Sequence, residues 1–400
     1  MSSKIKLALV GCGGISQNHV AGYKALKEGG CEEFEVVACC DLKGENAQKA
    51  SAVIAGFQGT TPKVFKTPAE LIQSRAADAV DICVPHCFHH STAIQCLDGG
   101  LHVLLEKPLG ITARASRRII DAAEKNKRVV ATAENVRRDL PARACTWAMR
   151  DAKLMGEMIS AAVHGVSSTP INIDDPAWRW RGVKLLTGGG MIFDSGAHFA
   201  DMLLVLFGEP DEIYARTRTF DKREVNDIPR LGKAHLDVED NWNVVISFKS
   251  GVQVNWSYAN MVQPLQNNSA SYYGSKGSIK DLGWPFHPFQ GGGEMTLKNG
   301  TVMTSEQIQN KYLLSLKAGE KERLFPYGVT DGFGVEVWDF VNAIATNRAP
   351  EMDGWAGLKA KALCLSCYES ATLGQAVKYA DVLEGKLETY QQPINAFWEI

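Results

Sequence analysis

Between residues 4 and 133, short apolar runs recur with amphipathic stretches between them: KIKLALV, FEVVACCD, AVDICV, LHVLL and KRVVATA. Runs this apolar have no polar face to offer to water, so each must be covered on both sides. Strands covered by intervening helices form a parallel sheet. From about residue 157 the period becomes two, in DEIYARTRTF (211–220), WNVVISF (242–248) and VQVNWSY (252–258), the last two joined by a KSG turn. Hairpin-joined strands imply a mostly antiparallel sheet in a second domain. Residues 221–240 and about 283–328 are rich in charge, Gly or Pro and read as long loops. GVEVWDFVNAIATNR (334–348) and GLKAKALCLSCYESATLG (357–374) return to helical spacing.

Charge and composition narrow the partner. Forty-three Lys plus Arg against 45 Asp plus Glu leave a net charge of −2, so neither nucleic acid nor an anionic membrane has an electrostatic footprint here. No window approaches the roughly 20 apolar residues of a membrane span, and MSSKIKLALVGCGG lacks a cleavage site for a signal peptide. Several of the ten cysteines, including Cys39, Cys40 and Cys83, lie inside apolar runs, where a free thiol behaves as a small hydrophobe. A reduced, cytoplasmic chain acting on a small molecule is expected.

The run LALVGCGGISQNH (7–19) places Gly11, Gly13, Gly14 and Ile15 between a strand and a helix. That is the context of a dinucleotide fingerprint: a tight turn, then backbone open to a pyrophosphate at a helix N-terminus. Its third position is Ser16, small enough for close packing. FEVVACCD ends in Asp41, positioned either to accept hydrogen bonds from a ribose or to cap the next helix. A 2′-phosphate would meet a like charge at Asp41, which favours NAD, with NADP left possible by Lys43. The fold class expected is α/β: a Rossmann domain at 1–135, an α+β substrate domain with a large, mostly antiparallel sheet at 136–330, and C-terminal helices at 331–400 packing back on the Rossmann domain.

Two further motifs carry chemistry. LHVLLEKPLG puts Glu106, Lys107 and Pro108 at a strand's carboxyl end, the edge where open α/β sheets bind ligands. GGGMIFDSGAHFADML (188–203) places Asp194 and His198 one helical turn apart at the start of an apolar helix. Asp194 or Ser195 is equally suited to be an N-cap, and His198 with Asp201 to form a surface pair. The three glycines suggest backbone brought close to cofactor and substrate. The cluster HCFHH (86–90) lacks the spaced partner pair of a zinc site, and CLSC (364–367) sits in a buried helical pattern, so no metal is expected.

Taken in order, GCGGIS, PHCFH (85–89), EKP, WR (180–181) before GGG, DSGAH (194–198), VED (238–240), YGSKGSI (273–279) and YESATLG (368–374) resemble the Gfo/Idh/MocA oxidoreductase family over nearly the whole chain. It departs from that pattern at His86, where the family often has Asn, and at Ser16. The resemblance implies an NAD-dependent dehydrogenase acting on a secondary ring hydroxyl of a sugar, anhydrosugar, glycoside or cyclitol. Pro85, His89, Glu106 and Lys107 then join the cofactor set. Lys107, Asp194 and His198 become the catalytic set, and Asn135, Trp180 and Arg181 join them around a carbohydrate or polyol. In this chemistry His198 accepts the hydroxyl proton, Asp194 orients the imidazole, and Lys107 stabilises alkoxide charge. Tryptophan faces suit sugar rings, although Trp178 and Trp180 also suit a core; Arg179 and Lys184 are weaker candidates. Relatives also suggest a glycosidase that uses NAD transiently, and a nucleotide-sensing regulator is a third reading. A large exposed sheet face would favour a homodimer or homotetramer.

Overall fold

The computed structural model describes residues 4–262 and 267–400. Two compact units divide the chain: residues 1–138 with 317–358, and residues 139–316 with 359–400. The block 331–400 is therefore not one body, since its first part groups with the N-terminal unit and its last part with the other.

In the first unit six strands, β1 (Ile5–Val10), β2 (Phe34–Cys40), β3 (Lys63–Phe65), β4 (Ala79–Ile82), β5 (His102–Glu106) and β6 (Val130–Ala133), pair in the order 3-2-1-4-5-6. Every pairing is parallel. This is the doubly wound nucleotide-binding order. Helices α1 (Ser16–Glu28), α2 (Gly44–Gln58), α3 (Pro68–Ser74), α4 (His89–Asp98) and α5 (Ala113–Asn126) connect the strands. Their starts follow from local chemistry: Thr67 caps α3 by accepting from Glu70 N at 3.3 Å, with Pro68 at the first position, and Thr112 caps α5 by accepting from Ala115 N at 3.1 Å. Strands β4 and β6 are buried along their whole length, which is why their sequences show no alternation.

In the second unit β7 (Met158–Val166), β8 (Pro210–Arg218), β11 (Asn241–Phe248), β12 (Gln253–Ala259), β13 (Asn267–Gly274), β14 (Gly277–Asp281), β15 (Gly293–Leu297), β16 (Val302–Met303) and β17 (Val377–Lys378) form a nine-stranded sheet. Its order is 16-15-14-13-7-12-11-8-17, antiparallel except where β7 pairs β12. Strands β9 (Glu224–Ile228) and β10 (Gly232–His235) pair separately as a hairpin. Alternation buries one face: Trp242, Val244 and Ile246 of β11 point inward, and Asn243 and Val245 outward. The inward face packs on the helix Gly196–Phe207, which carries His198, with Phe199 and Trp256 ring centroids 4.9 Å apart and Phe207 and Phe248 5.4 Å apart. The outward face leaves Ile159, Tyr214, Val245 and Tyr273 between 39% and 56% exposed.

Both segments read as loops contain regular structure. Residues 221–240 hold the β9–β10 hairpin, and 283–328 hold β15, β16 and the helices Ser305–Ser315 and Ala318–Leu324. The strands there are short and exposed on one side, so their apolar signal is diluted by charge and glycine. No helix among the described residues is long and apolar enough to cross a membrane.

Candidate active site

After β1 the chain turns at Gly11, whose φ is 86°, and a Cβ there would come within 2.5 Å of the Cys83 carbonyl oxygen. Glycine alone meets both conditions. Gly13 and Gly14 face open space, and no side chain caps the N-terminus of α1 after Ile15. Amides at such a start attract anionic oxygen. Ser16 is 2% exposed and its hydroxyl donates to Gly13 O at 2.7 Å, closing the turn. Asp41 is not a helix cap: α2 begins after Lys43 with no side-chain cap. Instead, Asp41 Oδ2 accepts from Cys12 N at 2.7 Å and Oδ1 from Lys43 N at 2.8 Å. Those bonds fix the carboxylate beside the glycine turn, with lone pairs left for ribose hydroxyls. An open glycine cradle, an uncapped helix start and a fixed acidic acceptor fit NAD.

The carboxyl ends of β4 and β5 supply the next residues. Pro85 is exposed and precedes a short turn, while His89 is 1% exposed at the start of α4. The ring of His89 lies 2.7 Å from Pro108 O through Nδ1 and 2.9 Å from Val84 O through Nε2. Both ring nitrogens are thus engaged by the chain, so His89 braces the turn after Lys107 where a cofactor contact was expected. Burial lowers its pKa, opposed by those two carbonyls. Lys107, half-buried, leaves β5 through a cis bond to Pro108.

Glu106 also departs from expectation. The expected direction is outward with Lys107, yet Glu106 is 6% exposed and its Oε1 lies 3.0 Å from His19 Nε2. Successive strand residues point to opposite faces, so only one of the pair can reach the sheet's open edge. His19 Nδ1 lies 2.8 Å from Asp81 Oδ2, which also accepts from the Tyr23 hydroxyl. Burial works to lower the pKa of His19, but Asp81 and Cys83 beside it together outweigh burial and hold it well above the ordinary value. Asn135 follows β6, half-buried, its carbonyl accepting from Arg138 N at 2.9 Å.

The second unit carries the other candidates. Helix α6 (Leu140–Thr146) opens the unit, α7 (Lys184–Thr187) precedes the glycines, and α8 (Gly196–Phe207) follows them. Asp194 lies before α8, in a turn where its N–H donates to Gly190 O at 2.9 Å, so it does not share a helical turn with His198. Its carboxylate pairs with Arg181 Nη1. Arg181 lies between two indoles, its guanidinium carbon 4.9 Å from the centroids of both Trp178 and Trp180. Trp178 is 51% exposed, so these indoles are not a core. His198 is 4% exposed and Asp201 1%, which removes the surface-pair reading. The ring of His198 meets His287 edge to face, with centroids 4.8 Å apart at 66°. Trp284 stands 5.7 Å from the same His287. Lys184 does not lie free in solvent: its ammonium sits 3.6 Å from the Tyr390 ring centroid, and burial lowers its pKa.

Gly189 and Gly190 do not open space for a ligand. A Cβ on Gly189 would strike the Tyr368 hydroxyl, and one on Gly190 would come 2.7 Å from Glu239 O and 2.8 Å from Glu239 Oε2. The chain's own buried side chains occupy the room expected for cofactor and substrate.

Two family profiles match this chain. One, described as the oxidoreductase family with NAD-binding Rossmann fold, matches residues 5–134, and the other, the GFO/IDH/MocA C-terminal domain, matches 147–280. The chain belongs to the Gfo/Idh/MocA oxidoreductase family. It is an oxidoreductase with an NAD-binding Rossmann fold. Among curated relatives it is 24% identical to D-glucoside 3-dehydrogenase of Escherichia coli (strain K12), over 94% of this chain and 98% of that protein. It is 22% identical to myo-inositol 2-dehydrogenase of Thermotoga maritima, over 95% and 100%. The WlbA dehydrogenase from Bordetella pertussis, solved with NADH and UDP-GlcNAcA, superposes with a TM-score of 0.72 at 23% identity, over 94% of this chain and 99% of that one.

Sequence reasoning passed over His19, Glu239, Asp281 and His287. His19 stands three residues after Ser16 in the quoted fingerprint run, and Glu239 in the quoted VED. A polar residue at a buried position of an otherwise regular pattern was the available signal for both. His287 lies in a stretch read as loop, where no period marks it.

Proposed function

We propose that this oxidoreductase oxidises a secondary ring hydroxyl of a sugar, anhydrosugar, glycoside or cyclitol, with His198 as proton acceptor and Lys107 polarising the hydroxyl. The observation that carries the reading is the group of side chains around Asp194. A guanidinium fixed between two indoles and paired with that carboxylate offers donors to hydroxyls and flat faces to a ring. A buried imidazole on the next helix completes the set.

Bound NAD supplies the hydride acceptor. Gly13, Gly14 and the start of α1 would hold its pyrophosphate, and Asp41 its ribose. Oxidation of an alcohol also releases a proton, and an imidazole suits its removal near neutral pH. The ammonium of Lys107 favours the alkoxide form of the reacting oxygen. Arg181, oriented by Asp194, grips neighbouring hydroxyls, so Asp194 acts through Arg181 more than on the imidazole.

The test is NADH formation with a panel of methyl glucosides, levoglucosan and myo-inositol. Turnover that disappears in His198→Ala and falls steeply in Lys107→Ala supports the reading. Absence of NADH formation, or full activity in both variants, overturns it. Glycoside cleavage without net NADH replaces it by a redox-neutral glycosidase. The exposed sheet face supports a homodimer or homotetramer, with Ile159, Tyr214, Val245 and Tyr273 covered on assembly.

A further inference from the structure

The rings of His198, on α8, and His287 touch, and the turn before α8 and the loop that carries His287 are each built around one buried carboxylate. Glu239, 5% exposed and just before β11, accepts from Gly190 N at 2.9 Å on one oxygen. Its other oxygen accepts from Ile192 N and from the Tyr368 hydroxyl, both at 2.9 Å. Asp281, 5% exposed at the end of β14, accepts from Gly283 N at 2.7 Å and from Phe289 N at 3.0 Å, closing the loop that carries His287. Both loops present donors only, and a carboxylate offers acceptors only. The same solution recurs at two strand ends of one sheet, on either side of one pair of rings.

We propose that Glu239 and Asp281 are positioning residues that hold the turn before α8 and the loop carrying His287 each in place, and so fix the orientation of the proton acceptor. The inference rests on the reading of His198 given above. Gly190 belongs to this arrangement, because any side chain there would displace the Glu239 carboxylate. Lys361 secures the same loop by donating to Phe193 O at 3.2 Å.

Protonation of either carboxylate would put an O–H among N–H donors and weaken the hold. Burial pushes both groups up to about 7, against the bonds that favour the ionised form. Tyr368, Cys367 and Tyr390 face Glu239, and Tyr272 and Cys145 face Asp281. Burial raises all five above their ordinary values, so none is charged near neutrality. The loops should therefore tighten as pH rises through neutrality.

The test compares Glu239→Gln, Asp281→Asn and the milder Tyr368→Phe with the intact enzyme. Amide exchange, corrected for its intrinsic pH dependence, is followed at Gly190, Ile192, Gly283 and Phe289. Turnover is followed with NAD and the fastest sugar of the panel across neutral pH. In the intact enzyme, protection at these four amides and kcat should rise together through about pH 7. Glu239→Gln should deprotect Gly190 and Ile192 and lower kcat by about 10- to 100-fold, while the Kd for NAD stays within about two-fold. Asp281→Asn should do the same through Gly283 and Phe289. Tyr368→Phe removes a donor that favours the carboxylate, so the rise in kcat should move to higher pH. A packing role alone would not move that limb. Unchanged exchange, or changed exchange with intact kcat, overturns the proposal. Full activity in His198→Gln instead overturns the reading of His198, and the exchange data still report separately on the two carboxylates.

Discussion

Replacing Glu239 by Gln removes a carboxyl that burial pushes up to about 7 when folded, against about 4.3 in an unfolded chain. Below the unfolded value both states hold the proton, and the advantage of the folded state is fully present. Between the two values the unfolded chain has released its proton and the folded chain has not, so stability falls as pH rises. The loss is complete above the folded value. A difference of roughly 2.7 units, at about 1.36 kcal/mol per unit, amounts to about 3 to 4 kcal/mol. Because the side chain is buried, solvent screening takes little from this figure. The assay is denaturant unfolding between about pH 5 and about pH 8, followed by tryptophan emission, to which the buried Trp242 and Trp256 of the second unit contribute. Subtracting the variant's stability from that of the intact chain at each pH cancels the contributions of His19 and other groups. The advantage of the intact chain should shrink by about 3 kcal/mol from the acid to the alkaline end. Parallel curves would refute the reasoning. The ionised carboxylate therefore orders a loop at some expense in global stability.

Other predictions follow from single contacts. Gly190→Ala places a Cβ 2.8 Å from Glu239 Oε2 and should cost about 1 to 3 kcal/mol, read as a lowered Tm, together with kcat. Arg181→Ala leaves Asp194 without its guanidinium partner and should raise the KM for the sugar about ten-fold or more, while NAD binding, read by fluorescence titration, stays unchanged. Asp41→Asn should weaken NAD and relax discrimination against NADP, because the charge that repels a 2′-phosphate is gone; an unchanged preference would contradict the placement of the ribose. Val245→Glu on the open sheet face should shift the chain to monomer in sedimentation, with little change in Tm.

The legible sheet strands were those whose burial is two-sided or alternates over a long run; the short alternating β15, set among glycine and charge, was read as loop. Strands β1, β2, β4, β5 and β6 lie within the apolar runs, and β8, β11 and β12 within the period-two segments. Strand β3 was not legible, because its three residues, mostly exposed at the sheet edge, are too few to show a period. Lys107, Asp194 and His198, the residues proposed to carry the chemistry, stand out through their motifs, but the partners of the buried carboxylates do not. Asp194 was expected to address His198 through helical spacing; it lies in the turn before α8 and pairs with Arg181, which spacing alone does not show. Glu106 was expected to face a ligand, and meets His19, 87 residues away in sequence. Glu239 reaches Gly190 over 49 residues. Periodicity reports which side of an element is buried. It carries no information on which distant amide or imidazole a buried carboxylate will find, and those pairings decide how the loops around His198 are held.

The most direct measurement is NADH formation by the intact enzyme and by His198→Ala, with NAD and the sugar and cyclitol panel, across pH. The account predicts NADH formation with at least one ring polyol, with kcat rising toward alkaline pH, and loss of turnover by about 100-fold or more in the variant while NAD still binds. Turnover in His198→Ala equal to that of the intact enzyme, with the same pH profile, would contradict it.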